Sequence, residues 1–409
     1  MIKRREFFPL ATTAVAATAV AGTSSLAQAA TAACATKATT ADVPVDPVNQ
    51  TPAQLAKHSI RLPKLDQQST QDFFSSLRMW MRNASPDLGT QVEALAAARG
   101  LNPADMPMDA AWQLAMTHPT FAARARINTS SQQLMWRGIA DVYHKDADAY
   151  YAALAATDRS GPGSLELNPG MALPEYTRYE IHIQPGGYVG DEFAGAISLH
   201  GFKHFDRQFS FNDHQEHHLA MAREMPLPCD GQVRRVLDLG CGWGGLATAL
   251  KERFPEADVW GIDVGGPMVR WAHHRAVKMN LAVNFAQRLG EDSKFEAGSF
   301  DIVGSYIMFH EVSAEAAQRI VAETYRILRP GGLFRVIDFV TRGNPEYREP
   351  KTVMAKAGQW ADHRYNMERW APEYRGSDFP AVLRSAGFQV SIDPKRPGAF
   401  QEVTATKPA

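Results

Sequence analysis

Two patterns of apolar and polar positions divide this chain of 409 residues. Between residues 51 and 165, apolar side chains recur every three or four positions, as at Phe73, Leu77 and Trp80. This spacing predicts a helical N-terminal domain. In residues 233–409, short apolar runs alternate with amphipathic stretches, which predicts strands alternating with helices. Such alternation is typical of a parallel sheet with helices on both faces.

Residues 233–409 predict an α/β fold, a Rossmann-like, mostly parallel sheet of seven strands. Five apolar runs predict parallel strands, and two more fit a C-terminal antiparallel hairpin. Residues 342–378 form an insertion between the last parallel strand and this hairpin. The predicted strands are 233–239, 258–263, 284–287, 300–307, 333–339, 388–392 and 400–405, and the predicted helices are 244–253, 267–279, 313–328 and 379–386.

A connector of unusual composition, residues 166–232, joins the two regions. Residues 176–183 alternate between polar and apolar side chains, which predicts a strand. Histidine and aromatic residues are then dense from His200 to His218, and residues 213–224 are predicted to form a helix.

The N-terminus has the pattern of an export signal. Lys3-Arg4-Arg5 precedes two aromatic residues and a weakly apolar stretch, and the small residues Ala27 and Ala29 supply a cleavage site. Paired arginines with mild hydrophobicity are typical of the twin-arginine type. We therefore expect a signal peptide at residues 1–29, a linker at 30–50, and a periplasmic or secreted protein, which stays cytoplasmic if the signal is not used. No other apolar run approaches the ~20 residues of a bilayer span, so no membrane span is expected after signal removal.

Charge and cysteine content narrow the possible partners. The formal net charge of −1 gives no electrostatic argument for a nucleic-acid partner. The three cysteines, Cys34, Cys229 and Cys241, make no disulfide framework. A bridge between Cys229 and Cys241 is not expected, because most of a predicted strand would hold the two sulfurs apart.

A glycine-rich turn follows the first predicted strand of the sheet. Gly240, Gly242 and Gly245 satisfy the spacing of dinucleotide-binding proteins, which alone is a weak signal. Asp238 precedes these glycines, where a carboxylate repels a pyrophosphate but suits the ammonium group of a methionine moiety. Asp263, at the end of the next strand, suits ribose hydroxyls in either class of nucleotide, or the N-cap of the next helix.

With these motifs the chain resembles the class I S-adenosylmethionine-dependent methyltransferases, in particular the group similar to the ubiquinone and menaquinone C-methyltransferases. Further marks of the resemblance are Leu289–Asp292, Ser299–Val303 and Arg329–Gly332. The family often has Asp-Ala-Glu where this chain has Leu289-Gly290-Glu291, so Gln287, Glu291 or backbone groups are left to contact the adenine. The resemblance implies S-adenosylmethionine as cofactor and a cofactor site formed by Asp238, Gly240, Cys241, Gly242, Gly244, Asp263, Val264, Leu289, Gly290 and Tyr306.

Candidate catalytic and substrate residues lie outside the glycine-rich turn. His310, followed by Glu311 after the fourth strand, is the candidate general base, or else a packing residue before the next helix. Histidines of the connector and aromatic residues of the insertion are expected to line a substrate pocket, and none of their spacings is diagnostic of a metal site. These substrate-pocket candidates are His200, His204, Trp360, His363, Tyr365 and Trp370.

The expected function is methyl transfer from S-adenosylmethionine to a small-molecule acceptor by in-line displacement. Because this cofactor is made in the cytoplasm, an exported chain leaves open a binding protein on a retired methyltransferase fold. An NAD-dependent oxidoreductase is a third reading, which Asp238 disfavours. The sequence also leaves open whether the chain forms a homodimer.

Overall fold

The computed structural model describes residues 60–206, 216–393 and 400–409, without the side chains of residues 203–206 and 216. The expected signal and linker lie outside the described residues. All of the described residues belong to one compact unit, Pro44–Ala409.

Eight strands of the described residues form one sheet. They are β1 (Gly163–Glu166), β2 (Arg235–Leu239), β3 (Asp258–Asp263), β4 (Val283–Gln287), β5 (Phe300–Tyr306), β6 (Leu328–Phe339), β7 (Gln389–Ile392) and β8 (Phe400–Thr406). Their order across the sheet is β1-β4-β3-β2-β5-β6-β8-β7. Strands β1 to β6 run parallel, and β8 is antiparallel to both β6 and β7. The expected mostly parallel sheet with a closing hairpin is confirmed.

The sheet has one strand more than expected. Gly163–Glu166, at the end of the predicted helical region, pairs in parallel with β4. Gly163 fits there because a Cβ atom at this position would lie 2.1 Å from the carbonyl oxygen of Val283. The strand therefore depends on a glycine, a residue that weakens the sequence signal for a strand.

The expected strand at residues 176–183 is wrong. The segment instead forms two short 3₁₀ turns, Glu175–Arg178 and Ile181–Ile183. Strand β1 occupies the position beside β4, and residues 176–183 belong to none of the strands of the sheet. His182 and Ile183 also have φ angles of 57° and 53°, which are incompatible with a strand.

Helices cover both faces of the sheet, and others form a layer beyond its carboxyl edge. They are α1 (Leu65–Asn83), α2 (Leu88–Ala98), α3 (Met108–Met116), α4 (Pro119–Lys145), α5 (Ala147–Thr157), α6 (Ala194–Asp206), α7 (Glu216–Glu224), α8 (Gly245–Arg253), α9 (Gly266–Lys278), α10 (Ala314–Ile327), α11 (Val353–Tyr365), α12 (Ala371–Gly376) and α13 (Phe379–Ser385). Helices α7, α8 and α9 share a core with one face of the sheet, and α10 and α13 with the other. Among these helices, none combines the length and apolar character that crossing a bilayer requires.

The insertion between β6 and β7 packs on the N-terminal helices. Val353 and Ala357 of α11 are buried against Val92 of α2 and Trp112 of α3. The Lys356 ammonium donates hydrogen bonds of 2.6 Å to the carbonyl oxygens of residues 104 and 106. Helix α11 is thus held on the N-terminal helices, in one continuous core.

The turn from β2 to α8 is held by buried carboxylates. Asp238 Oδ2 accepts a hydrogen bond of 2.8 Å from the backbone N–H of Ala247, in the first turn of α8. Gly240 and Gly242 have φ angles of 72° and 51°, which side chains other than glycine rarely allow. Burial raises the pKa of Asp238 to about 8, so the folded state is less stable when this carboxyl group is ionised.

We expect Asp238→Ala to lower the free energy of unfolding by roughly 1–3 kcal/mol near pH 5, because the N–H of Ala247 loses its buried acceptor. Asp238→Asn keeps an acceptor oxygen and is the matched control. Urea unfolding followed by circular dichroism measures both. Equal stability of the alanine and asparagine variants would contradict the role of this hydrogen bond.

The same measurement has a pH dependence of defined sign. The pKa of Asp238 is raised from 3.8 to about 8 by burial, so between these values the folded chain binds a proton that the unfolded chain releases. The wild type should therefore lose stability as pH rises from about 5 to 8, by roughly 1 kcal/mol per pH unit from this group. Asp238→Asn should lack this loss.

Candidate functional site

A cavity of about 170 Å³ lies at the carboxyl edge of the sheet, above the turn from β2 to α8. We call it the glycine-loop cavity. Seven of the cofactor-site residues predicted from sequence line it together: Gly240, Cys241, Gly242, Asp263, Val264, Gly290 and Tyr306. The parallel topology explains the convergence, because the carboxyl ends of β2, β3, β4 and β5 meet at one edge.

The carboxylate of Asp263 lines this cavity at the end of β3. Its Oδ2 accepts a 2.9 Å hydrogen bond from the N–H of Gly242, and its Oδ1 accepts a 2.8 Å bond from the N–H of Gly265. Burial raises its pKa, against the effect of these hydrogen bonds. Asp263 thus fixes the glycine turn and presents remaining lone pairs to the cavity, where they can accept ligand hydroxyl groups.

Three other expected cofactor residues do not line the cavity. Asp238 lies behind the glycine turn and is almost fully buried, with its carboxylate directed to α8. Gly244 lies at the start of α8, where a Cβ atom would be 2.8 Å from Cβ of Ala272. Leu289 is also outside the lining, although its neighbour Gly290 is part of it.

Gln287 and Glu291, two side chains expected to contact the adenine, both form hydrogen bonds to other residues of the fold. The side chain of Gln287 accepts from the N–H of Asn168 and donates to the carbonyl oxygen of Val264, so it is engaged within the fold. The Glu291 carboxylate accepts hydrogen bonds of 3.0 and 3.1 Å from the hydroxyl of Tyr176, which lines the cavity. Glu291 therefore acts on the cavity through Tyr176.

Aromatic side chains form part of the wall of this cavity. Phe202, His218, Trp243 and Tyr306 all line the cavity, and the ring of His218 lies 4.7 Å from that of Tyr306 and 4.9 Å from that of Trp243. Burial lowers the pKa of His218 to about 3, so its imidazole is neutral near pH 7. This wall suits a flat or apolar part of a ligand.

A second cavity of about 570 Å³ lies between the N-terminal helices and α11. We call it the helical cavity. Its lining includes Trp112, Phe121 and Tyr365, together with His310 at the carboxyl edge of the sheet. The helical layer therefore encloses a space that the sheet alone does not have.

The two cavities adjoin. Phe202 and Ile307 line both of them, so a ligand in one cavity lies next to a ligand in the other. Ile307 follows β5 with a φ of 51°. The glycine-loop cavity has the size for part of a nucleoside ligand, and the helical cavity has the size of a small-molecule site.

Basic residues line the wall of the helical cavity formed by α1 and α4. Arg78, Arg82 and Arg124 all face this space. Burial lowers the pKa of Arg78 to about 10 and lowers that of Arg124, and the charge of Arg82 lowers both further. Repulsion between like charges of this kind is relieved by an anionic ligand group.

Four ionisable residues, His182, His310, Glu311 and Glu368, lie where the cavities meet, and we call them the junction cluster. Nδ1 of His182 lies 3.0 Å from Oε1 of Glu368, and its Nε2 lies 3.9 Å from Oε1 of Glu311. Nε2 of His310 lies 3.6 Å from Oε1 of Glu311 and 3.7 Å from Oε2 of Glu368. Glu311 lines the glycine-loop cavity, whereas the other three line the helical cavity.

Asp338, at the end of β6, orients His310. Its Oδ1 lies 2.6 Å from Nδ1 of His310, and its Oδ2 accepts a 2.8 Å hydrogen bond from the N–H of Phe309. Burial lowers the pKa of His310, but the charge and hydrogen bond of Asp338 outweigh burial and raise it to about 10. A pKa of about 10 favours the protonated form of the His310 imidazole near neutral pH.

The pKa values of the two glutamates in the junction cluster are raised above those of ordinary surface carboxylates. Burial raises the pKa of Glu311 to about 7, although His310 lowers it in part. Burial and the charge of Glu311 raise the pKa of Glu368 well above its usual value. Burial and His310 lower the pKa of His182 to about 3. Burial therefore disfavours the ionised forms of both glutamates, next to the imidazole of His310.

Of the four substrate-pocket residues expected in the insertion, one lines a cavity. Tyr365 lines the helical cavity. Trp360 packs against the core of α2 and α3, and Nδ1 of His363 contacts the carbonyl oxygen of Glu368 at 3.2 Å. Trp370 packs near Tyr179, with ring centres 6.2 Å apart. None of these last three lines either cavity.

The histidines of the connector have separate positions. His200 is buried with its ring 6.0 Å from that of Tyr143, in the core between α4 and α6, and lines neither cavity. The side chain of His204 lies outside the described residues. His182 and Glu368 were not predicted as site residues. His182 lies in the segment expected as a strand, and Glu368 lies in the insertion, where no spacing of residues marks it as a site residue.

Comparison with known proteins agrees with this geometry. Residues 236–332 match the family described as "Methyltransferase domain". The chain is 35% identical over 117 residues to demethylmenaquinone methyltransferase of Thermus thermophilus, covering 29% of this chain and 52% of that protein. It is 35% identical over 158 residues to an uncharacterized methyltransferase of Synechocystis, covering 38% of this chain and 68% of that protein.

The matches extend over part of the proteins concerned. The chain spans about half the length of the first curated relatives it matches, 52% and 56%. Among solved structures, an O-methyltransferase family protein from Burkholderia thailandensis has a TM-score of 0.43 and 17% identity, covering 57% of this chain and 67% of that one. The relatives named here are methyltransferases and not dinucleotide-dependent oxidoreductases. The chain belongs to the class I S-adenosylmethionine-dependent methyltransferases.

Proposed function

We propose that this protein transfers the methyl group of S-adenosylmethionine to a small-molecule acceptor held in the helical cavity. The observation that carries the proposal is that the glycine-loop cavity and the helical cavity adjoin at Phe202 and Ile307. A donor in the first cavity and an acceptor in the second are then neighbours. Transfer from a sulfonium is an in-line displacement, for which such alignment is the main requirement.

The methyl donor is assigned to the glycine-loop cavity by its polar groups. Asp263 offers a carboxylate for ribose hydroxyls, and the turn at Gly240 and Gly242 lets a ligand approach the backbone closely. Tyr176 and Gly290 line the part of the cavity beyond Asp263, where the adenine would lie. Asp238 acts indirectly, by holding α8 to the glycine turn.

The junction cluster lies where the acceptor atom would meet the methyl group. Glu311 reaches the glycine-loop cavity, and His310 reaches the helical cavity. When the acceptor arrives protonated, a group of this cluster is in position to receive the proton. An acceptor that arrives as an anion or with a free lone pair needs only the alignment.

The helical cavity favours an acceptor with an aromatic or apolar body and an anionic group. Trp112, Phe121 and Tyr365 supply flat apolar surface. Arg78 and Arg124, beside Arg82, supply positive charge that an anion would compensate. The named relatives include methyltransferases of demethylmenaquinone and of sterols, which are ring-containing acceptors.

We further propose that the chain is exported, with residues 1–29 as a twin-arginine signal. The sequence pattern of Arg4 and Arg5 supports this. Cys229 is disulfide-bonded, and disulfides persist mainly in oxidising compartments. Cys241 is a buried free thiol, so the two do not pair, and the remaining cysteine, Cys34, lies outside the described residues.

Asp263→Ala should weaken binding of S-adenosylmethionine at least about tenfold, because ribose hydroxyls lose a charged acceptor and the N–H of Gly242 loses its partner. Asp258→Ala, at the exposed start of the same strand, is the matched control and should bind as the wild type does. Titration calorimetry measures each. Absence of binding by the wild type, or equal affinity of both variants, would contradict the assignment of the cavity.

Arg124→Gln should lower kcat/KM for aromatic carboxylate or phosphate acceptors by roughly tenfold to a hundredfold, the effect of one lost hydrogen bond to a charged group. Arg126→Gln, an exposed position of the same helix that lines neither cavity, should leave it unchanged. An acceptor library is assayed with radiolabelled cofactor and with the neutral methyl esters of the same acids. A preference for the esters would refute the anionic acceptor, and cofactor binding without repeated turnover would refute the enzyme itself.

For export, the wild type expressed in a bacterium with the twin-arginine pathway should appear in the periplasmic fraction with its N-terminus after Ala29. A variant with Arg4→Lys and Arg5→Lys should stay in the cytoplasm with its full mass. Mass spectrometry of the two fractions measures both. Equal distribution of the two forms would contradict the signal.

A further inference from the structure

We propose that His182, Glu311 and Glu368 of the junction cluster bind one divalent transition-metal cation. The proposal is independent of methyl transfer, because it concerns only the ligand set of these side chains. The ions meant are first-row cations that accept both nitrogen and oxygen ligands, such as Mn²⁺, Fe²⁺, Co²⁺ and Zn²⁺.

The geometry suits a single ion. One ligand atom from each of the three residues lies within 4.8 Å of the other two. Nε2 of His182 and Oε1 of Glu311 are 3.9 Å apart. Ligand atoms at about 2.1 Å from a tetrahedral metal are roughly 3.4 Å from one another, so a contraction of about half an ångström would close this pair on an ion. The other pairs of ligand atoms lie within 4.8 Å and would contract by up to about 1.4 Å on the same basis.

Two buried oxygen atoms of the cluster accept no hydrogen bond among the described residues: Oε2 of Glu311 and Oε2 of Glu368. The side chain of Glu368 is only 2% exposed, and its Oε2 is directed into the cluster, 3.7 Å from Nε2 of His310. A buried carboxylate oxygen without a partner is costly, and carboxylates in such places are usually paired or bound to metals. This orphaned oxygen is what distinguishes the cluster from a satisfied ion-pair network.

Further ionisable groups surround the cluster. His310 lies beside both glutamates but already contacts Asp338 at 2.6 Å. Asp362 adds a further carboxylate, and its Oδ1 accepts from the amide of Asn366. Arg375 attracts Glu368, but its guanidinium lies over the ring of Phe339 and forms no ion pair within the described part of the chain. Glu311, Glu368 and Asp362 therefore place three carboxyl groups around this space, where the charge of Arg78 also acts on His182.

The ligand residues are fixed by neighbours, as ligands of bound metals usually are. The carbonyl oxygen of His182 accepts hydrogen bonds of 2.7 Å from both Gln132 and Trp136 of α4. Asn366 lies 3.1 Å from Nδ1 of the same imidazole. His182 is thereby held in a left-handed backbone conformation, with φ of 57°, that an unsupported histidine rarely adopts.

The chemistry of the donors selects the class of ion. One imidazole nitrogen with two carboxylates favours Mn²⁺, Fe²⁺, Co²⁺ or Zn²⁺ over Mg²⁺ and Ca²⁺, which take sets of oxygen ligands. The position at the junction leaves coordination sites open toward the helical cavity, where His182 and Glu368 form part of the lining. An oxygen or nitrogen donor of a bound small molecule would reach such a site.

Tag-free full-length protein, dialysed against chelator and then against metal-free buffer, is titrated with Co²⁺, Mn²⁺ and Zn²⁺. We expect one equivalent of metal by mass spectrometry of the eluted ions, visible absorption bands for bound Co²⁺, and a higher Tm with metal than without. Glu368→Gln keeps the shape of the side chain and should weaken metal binding at least about tenfold. Glu373→Gln, exposed on α12, is the matched control and should bind as the wild type does.

Absence of stoichiometric metal in the wild type, or equal metal affinity of Glu368→Gln and Glu373→Gln, overturns the proposal. If Glu368→Gln does not fold, Glu311→Gln is titrated in the same way, and undiminished affinity there overturns it equally. Calorimetry with S-adenosylmethionine in chelator tests the methyl-donor site separately. Metal binding without cofactor binding, or the reverse, therefore identifies which of the two proposals has failed.

Discussion

At the carboxyl edge of the parallel sheet, the turns that leave the strands have backbone N–H groups without partners in the sheet. The fold is required to supply hydrogen-bond acceptors for these groups. Buried aspartates at strand ends meet this requirement. Asp238 accepts from α8, Asp263 accepts from the glycine turn after β2, and Asp338 accepts from the turn after β5. Each carboxylate belongs to one strand and fixes the exit of the same strand or of its neighbour. The cavities exist because these exits are held apart in fixed positions.

The helical layer completes what the sheet begins. The aspartates place one ligand site at the sheet edge, but the walls of the second cavity come from α1, α4 and α11. Hydrogen bonds from Gln132 and Trp136 to the carbonyl oxygen of His182 connect α4 directly to the junction cluster. The N-terminal helices are therefore part of the site, and the sheet domain alone would present an open edge where this chain has an enclosed space.

The sequence predicts the sheet well, because apolar runs, glycine turns and strand-end carboxylates are local signals that determine local structure. Gly240, Gly242 and Asp263 take the expected places for this reason. It predicts the cluster poorly, because His182 and Glu368 meet Glu311 only through long-range packing. Asp238 shows an intermediate case. Its position was a clear signal, yet the structure directs its carboxylate to Ala247 rather than into the cavity, and no sequence pattern separates a carboxylate that binds backbone from one that faces a ligand.

The packing of α11 on α2 and α3 has a consequence for how the chain acquires its shape. Lys356 binds backbone oxygens of residues 104 and 106, and the N–H of Met354 binds the carboxylate of Glu93, across about 250 positions of sequence. Contacts so distant along a chain form late, because the intervening loop must first be closed. During synthesis, α1 to α5 leave the ribosome long before α11, which covers their apolar face. That face therefore stays uncovered until α11 has been synthesised. The helical cavity can therefore form only after α11 has been synthesised, later than the helices that make up its other walls.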